Sequence, residues 1–311
     1  MRSMRTPTAL RPGMTIGVCA PSSALRDDRF DDGLASLASL GYRVVLGDHV
    51  RDRFGYLAGT DAARAADLTR LFARRDVDAV ICARGGYGAV RMVDLIDWEV
   101  VAANPKLFIG YSDITTVHLA MERRAGLRTI HGLMVASFGE DLDERARDCF
   151  WRVVGQPEPL GAYDTGGATI RTLVGGQAVG ALAGGCLTLL SVAAGSADSP
   201  DLEGRIVLLE DVDEATYRVD RFIMQLLRTG EMAKAAGFVI GHVTGWGQEP
   251  LPPSCITLDR LWRDLIAPLG KPAMVGFPFG HEPNPLTLPL GTLAKLDADA
   301  GTLTLLEPAV S

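Results

Sequence analysis

Leu107 to Thr116 reads LFIGYSDITT: a short apolar run stops at Gly110, and a Ser-Asp pair opens an amphipathic helix running from Ile114 to Arg124. A strand followed at once by a helix makes an elbow. A serine there presents its Oγ beyond the sheet edge, and the first-turn N–H groups and the positive end of the helix dipole face the same space. Such a serine could carry acyl transfer, which makes Ser112 the candidate nucleophile. The same residues also suit a plain helix start, with Ser112 as cap and Asp113 paired with the dipole. The pattern G-x-S-x-x lacks the second glycine of the hydrolase elbow, so the chemistry needs partners elsewhere in the chain.

A serine hydroxyl needs a base that titrates near neutrality, and histidine is the usual one. The chain has five. His49 sits in a charged loop, and His118 lies on the elbow helix on a different face from Ser112. His131 and His242 follow apolar strands and could line a site, while His281 stands in the Pro- and Gly-rich stretch FPFGHEPNPLTLPLG. A carboxylate must then orient the imidazole. Glu210 is the first polar residue after the apolar run RIVLL, with Asp211, Asp213 and Glu214 as rivals. That acidic run also fits a solvated face; a metal site or a glycosidase carboxylate pair would need a second cluster, and none is evident. The loop Arg84-Gly85-Gly86-Tyr87-Gly88 lacks the phosphate-loop and dinucleotide patterns. Its glycines either expose bare N–H groups to a reacting oxygen or meet a turn's need for positive φ.

The elements around these residues alternate. Met14 to Ala20 reads as a strand ending in Ala20-Pro21-Ser22-Ser23, followed by a helix around Phe30 to Leu40 and a strand from Tyr42 to Leu46. Thr60 caps a helix over Ala62 to Ala73, Val77 to Cys82 is a third strand, and a fourth begins at Leu107. This predicts an α/β fold whose N-terminal sheet is mostly parallel with helices on both faces. Sites then lie at the C-terminal strand ends, where the APSS, ARGGYG and GYSD loops converge if their strands are neighbours. After a helix near Glu144 to Val154, the breaker-rich segment 155–176 reads as a linker. The expected divisions are 1–154, the linker 155–176, and 177–311. The last carries a helix at Gly184 to Ser191, a strand at Arg205 to Leu209, a helix at Tyr217 to Leu227, and a hairpin over Leu293 to Leu306 turning at Asp299-Ala300-Gly301.

A net charge of −7 argues against nucleic acid as a partner. No apolar run has the length of a membrane span, and the arginine-bearing N-terminus runs straight into a strand rather than a signal peptide. Cys19, Cys82, Cys149, Cys186 and Cys255 show no metal-ligand spacing, and their odd number suits reduced thiols in the cytoplasm.

The segments RPGMTIGVCAPSS, ARGGYGAVRMVDLID, FIGYSDIT, DLEGRIVLLEDVDEATYRVDRFIMQLLRTG and FGHEPNPLTLPLG, in this order, make the chain resemble the LD-carboxypeptidase family over nearly its whole length. The resemblance implies an α/β N-terminal domain and a smaller β-rich α/β C-terminal domain. It implies a serine peptidase, without metal or cofactor, that releases the terminal D-alanine of a murein tetrapeptide by cleaving its bond to the L-centre of a diamino acid. By motif, the nucleophile falls on Ser112, the acid on Glu210 and the base on His281, and the oxyanion donors are the backbone amides of Gly86 and Asp113. A homodimer is implied as well. A carboxypeptidase must also hold a free terminal carboxylate, for which the planar fork of Arg84 is the candidate; the rival is that Arg84 pairs with an acid such as Asp113 or Glu99. Two other functions compete: a microcin-immunity-type hydrolase of peptidyl or aminoacyl adenylates, and a non-catalytic two-domain ligand-binding protein. One departure stands out. The chain has Gly184-Gly185-Cys186-Leu187 where the family commonly has Gly-Gly-Asn-Leu, and a cysteine at a helix start could gain thiolate character and rival Ser112.

Overall fold

A computed structural model describes residues 4–26, 29–139, 141–245 and 256–311. The described chain divides into two compact units, the first formed by 1–158 with 287–291 and 308–311, the second by 159–286 with 292–307.

In the first unit, β1 (Thr15–Cys19), β2 (Arg43–Leu46), β3 (Ala79–Cys82), β4 (Leu107–Gly110) and β5 (Thr129–His131) form a parallel sheet in the order β2-β1-β3-β4-β5. Leu288–Leu290 closes its far edge, antiparallel to β5. Strands buried on both faces need continuous apolar runs, and TIGVC, AVIC and LFIG are buried at every position. Helices α1 (Arg29–Ser39) and α2 (Asp61–Ala73) make the crossovers. Thr60 caps α2 as expected, its hydroxyl accepting the Ala63 N–H at 3.2 Å. Leu68, Phe72, Met92, Phe108 and Val117 join one core cluster, each contributing about 1.5–3 kcal/mol through apolar burial. Strand order reverses between β1 and β3, which opens a crevice at their C-terminal ends. The loops after β1, β3 and β4 all leave the sheet there.

The second unit holds an eight-stranded sheet: β6 (Gly161–Ala162), β7 (Arg171–Val174), β8 (Gln177–Cys186), β9 (Ile206–Val212), β10 (Gly237–Thr244) and β11 (Ala273–Val275), followed, past the Leu288–Leu290 strand (β12), by β13 (Leu293–Asp297) and β14 (Thr302–Leu305). β8 to β11 run parallel, and β13 and β14 form the expected hairpin, turning through Gly301 at φ +65°.

The segment read as a linker, 155–176, behaves differently: it supplies β6 and β7, the two edges of the second sheet. Edge strands this short leave no periodic trace among prolines and glycines. The helix expected at Gly184 also begins later, over Leu187–Ala193, because β8 continues through Cys186. The glycines are there for close approach, since a Cβ on Gly184 would stand 2.2 Å from the Leu208 carbonyl oxygen.

Candidate active site

In the first unit β4 ends at Gly110, Tyr111 is extended, and Ser112 takes φ +68°. That left-handed conformation costs a non-glycine residue roughly 1–2 kcal/mol, so the surrounding structure must impose it. Ser112 opens a 3₁₀ turn to Ile114 that runs on into the helix Thr115–Ala120. The elbow read from the sequence is therefore present. His118 braces it from within: Nε2 lies 2.8 Å from the Gly110 carbonyl and donates to it. Burial lowers the His118 pKa to about 4, and the ring is a neutral donor rather than a base.

The glycine loop lies directly against the serine. A Cβ on Gly85 would approach Ser112 Cβ to 2.8 Å and Oγ to 3.0 Å. Gly86, at φ +122°, has no room for one either, since it would meet Ser23 Oγ at 2.3 Å. The Tyr87 N–H donates to Ser23 Oγ at 3.0 Å. The Asp113 carboxylate is buried and accepts from Ser22 Oγ at 2.6 Å and from the Ala89 N–H at 2.8 Å. Burial raises its pKa, against the pull of those two bonds and the Arg64 charge.

Sequence reasoning missed Arg64. Its side chain, only 1% exposed, reaches from α2 to donate through Nη1 to the Pro21 carbonyl and, at 2.9 Å, to the Gly88 carbonyl, while Nη2 pairs with Asp61. An arginine in a run of helix formers looks solvated, and no local signal distinguishes it. Arg84 Nη1 donates to the Ala24 carbonyl at 3.0 Å.

In the second unit Glu210 lies near the end of β9, 2% exposed, and its Oε2 accepts twice from His281: from Nδ1 at 2.6 Å and from the backbone N–H at 3.1 Å. A carboxylate only accepts, so Nδ1 carries the proton and Nε2 is the basic nitrogen. Burial alone would lower the imidazole pKa, but the Glu210 charge and hydrogen bond, with Asp211 and Asp213 nearby, raise it above the usual 6.5. Gly280 makes this contact possible. At φ +83° it brings the loop so close that a Cβ would sit 2.2 Å from Glu210 Oε2.

The rival residues have other partners. Asp211 accepts from the Thr188 N–H and hydroxyl, both at 2.8 Å, and Glu214 pairs with Arg218. Asp213 turns the chain at φ +56°. His49 Nδ1 meets Asp52 at 2.7 Å, His242 pairs with Glu282, and His131 is buried with its ring 5.9 Å from that of Tyr111. Cys186 does precede a helix, but its pKa moves the other way: burial and the charges of Asp211 and Glu210 hold the thiol well above its usual value. It donates to Asp211 Oδ1 at 3.6 Å and is no thiolate. Cys19, Cys82 and Cys149 are also buried free thiols, and Cys255 lies outside the described residues.

The chain thus carries a strained serine elbow in its first, α/β unit and a buried glutamate–imidazole pair in its second. The LD-carboxypeptidase N-terminal domain model matches residues 16–132 and the LD-carboxypeptidase C-terminal domain model matches 179–296. The chain is 43% identical over 316 residues to a carboxypeptidase-named protein of Streptomyces coelicolor, covering 100% of this chain and 99% of that one. It is 31% identical to the murein tetrapeptide carboxypeptidase of Pseudomonas aeruginosa, over 91% and 93% of the two chains. The solved muramoyltetrapeptide carboxypeptidase of Oxalobacter formigenes superposes with a TM-score of 0.80 at 29% identity, over 94% of this chain and 98% of its own. The microcin C7 self-immunity protein of Escherichia coli is 25% identical, over 97% and 96%. This chain belongs to the LD-carboxypeptidase family of peptidases. Among the described residues, no helix is long and apolar enough to cross a membrane.

Proposed function

We propose that this protein is a serine-type LD-carboxypeptidase that releases the terminal D-alanine from murein tetrapeptide, as a cytoplasmic homodimer serving peptidoglycan recycling. The observation that carries the chemistry is the 2.6 Å contact between His281 Nδ1 and Glu210 Oε2, which sets the tautomer a general base requires. Support for the nucleophile comes from the left-handed Ser112 packed against a loop whose Gly85 and Gly86 leave no room for a Cβ. His281 Nε2 takes the hydroxyl proton as Ser112 Oγ attacks the carbonyl carbon next to the terminal D-alanine. The Gly86 and Asp113 N–H groups stabilise the oxyanion. The imidazolium returns the proton to the departing amine of D-alanine, and water, activated by the same imidazole, then hydrolyses the acyl-enzyme. Arg84 is assigned to the substrate's terminal carboxylate, for which its planar fork is suited.

Product analysis by mass spectrometry on a defined panel tests the reading: murein tetrapeptide, the same peptide with an amidated terminus, and an aminoacyl adenylate. D-alanine should be released from the first, poorly from the second, and the adenylate should be left intact. Rapid adenylate cleavage with the tetrapeptide untouched would assign the chain to the microcin-immunity chemistry instead. For Arg84→Ala, the discrimination between free and amidated termini should collapse, and unchanged discrimination would remove its role.

A further inference from the structure

We propose that the Asp113 side chain is a positioning residue that holds the glycine loop in its oxyanion-binding form through Ser22 and the Ala89 amide; this rests on the serine-peptidase reading above. A carboxylate in the first turn of a helix ordinarily pairs with the N–H groups of its own helix. Asp113 instead reaches across two neighbouring strands. Its Oδ2 takes the Ser22 hydroxyl, from the loop after β1, at 2.6 Å and the Ala89 N–H, from the end of the glycine loop after β3, at 2.8 Å. One buried carboxylate therefore ties together the three strand-end loops of the crevice.

Those ties bracket Gly86. On one side Ser23, next to Ser22, packs against Gly86 and receives the Tyr87 N–H. On the other, Ala89 is pinned by Asp113 itself, and Arg64 fixes the Pro21 and Gly88 carbonyls from behind. The bracketing matters because Gly85 and Gly86 are chosen for the absence of a side chain, and glycine has more conformational freedom to lose than any other residue. A peptide plane that must aim an N–H at a developing oxyanion gains catalytic value only when it is held before the charge appears. External pins supply what the glycines cannot.

The side-chain and backbone contributions of residue 113 are separable. Asp113→Asn keeps the backbone N–H and the shape, but both ties end on one oxygen, and the neutral amide oxygen that replaces it accepts each of them more weakly than a carboxylate does. Ser22→Ala removes one tie alone, and Ser22→Thr restores the hydroxyl. D-alanine release from murein tetrapeptide should show kcat reduced about 10- to 100-fold for Asp113→Asn and for Ser22→Ala. KM should stay within about 2-fold of wild type, because the pinned loop acts on the transition state. Ser22→Thr should recover most of the rate. Circular dichroism melts identify any variant that does not fold; if Asp113→Asn does not, the Ser22 pair decides.

Wild-type kcat in the folded Asp113→Asn or Ser22→Ala protein would overturn the proposal, as would a loss appearing in KM with kcat unchanged, or Ser22→Thr no better than Ser22→Ala. Ser112→Ala run alongside keeps the two readings apart. Turnover in that variant would refute the serine mechanism itself. An inactive Ser112→Ala with fully active Asp113 and Ser22 variants would refute only the positioning role.

Discussion

The Glu210–His281 contact has a consequence that is visible in a pH profile. A general base must be neutral to accept a proton, and the Glu210 charge keeps this imidazole protonated to higher pH than an unperturbed one. Activity should accordingly fall as pH drops through a value above 6.5, and the acid limb should move to lower pH in Glu210→Gln, where burial acts without the opposing charge. The same variant should lose about 100- to 10,000-fold in kcat, since the amide neither fixes the tautomer nor stabilises the imidazolium. An acid limb that does not move in Glu210→Gln would detach the glutamate from the base. At this scale the sequence is uneven evidence. Glu210 is legible as a polar residue ending an apolar run, and Gly280 as a breaker. Only the family resemblance singles out His281 among five histidines and Glu210 among four acids, because the contact between them joins positions far apart in the chain. Arg64 was invisible for the same reason: its burial depends on where α2 packs.

Elements decide how near the glycine loop stands to the serine. Gly85→Ala would put a methyl group 2.8 Å from Ser112 Cβ, so the loop or the elbow must shift. This variant should lose 10-fold or more in kcat, with a melting temperature within a few degrees of wild type; unchanged kcat would show that the approach is immaterial. Gly184→Ala is the contrasting case. Its Cβ would press on the Leu208 carbonyl at a φ of +122°, inside the parallel β8–β9 pairing, and the expected effect is a clear fall in melting temperature. The long, strongly patterned elements were readable to within a few residues: β4, α1, α2, the helix Thr216–Arg228 and the final hairpin. Short edge strands that contain or adjoin prolines and glycines were not. β6 and β7 sit among breakers, and the Leu288–Leu290 strand, with a proline at its centre, tolerates it at a sheet edge.

For the molecule as a whole, the buried His118 links stability to pH. Its pKa is about 4 in the folded state against 6.5 for the free group, so its contribution is intact above 6.5 and is lost as pH falls toward 4. A shift of this size corresponds to about 3 kcal/mol. Denaturation between pH 7 and 4 should show this loss in the wild type and a flatter dependence in His118→Gln; equal slopes would mean the ring is not buried neutral. The α/β class and the mostly parallel N-terminal sheet follow from element order alone, whereas the convergence of the three loops also requires β1, β3 and β4 to be neighbours, as the strand order has them. The return of 287–291 and 308–311 to the first unit does not, because a chain crossing back leaves no mark in local pattern. All of the chemistry proposed here depends on Ser112 forming the bond to the substrate. The most direct measurement is the kcat for D-alanine release from a defined murein tetrapeptide by purified Ser112→Ala beside the wild type. The kcat should fall about 10,000-fold or more with the fold intact, and a variant turning over within 10-fold of wild type would show that Ser112 is not the nucleophile.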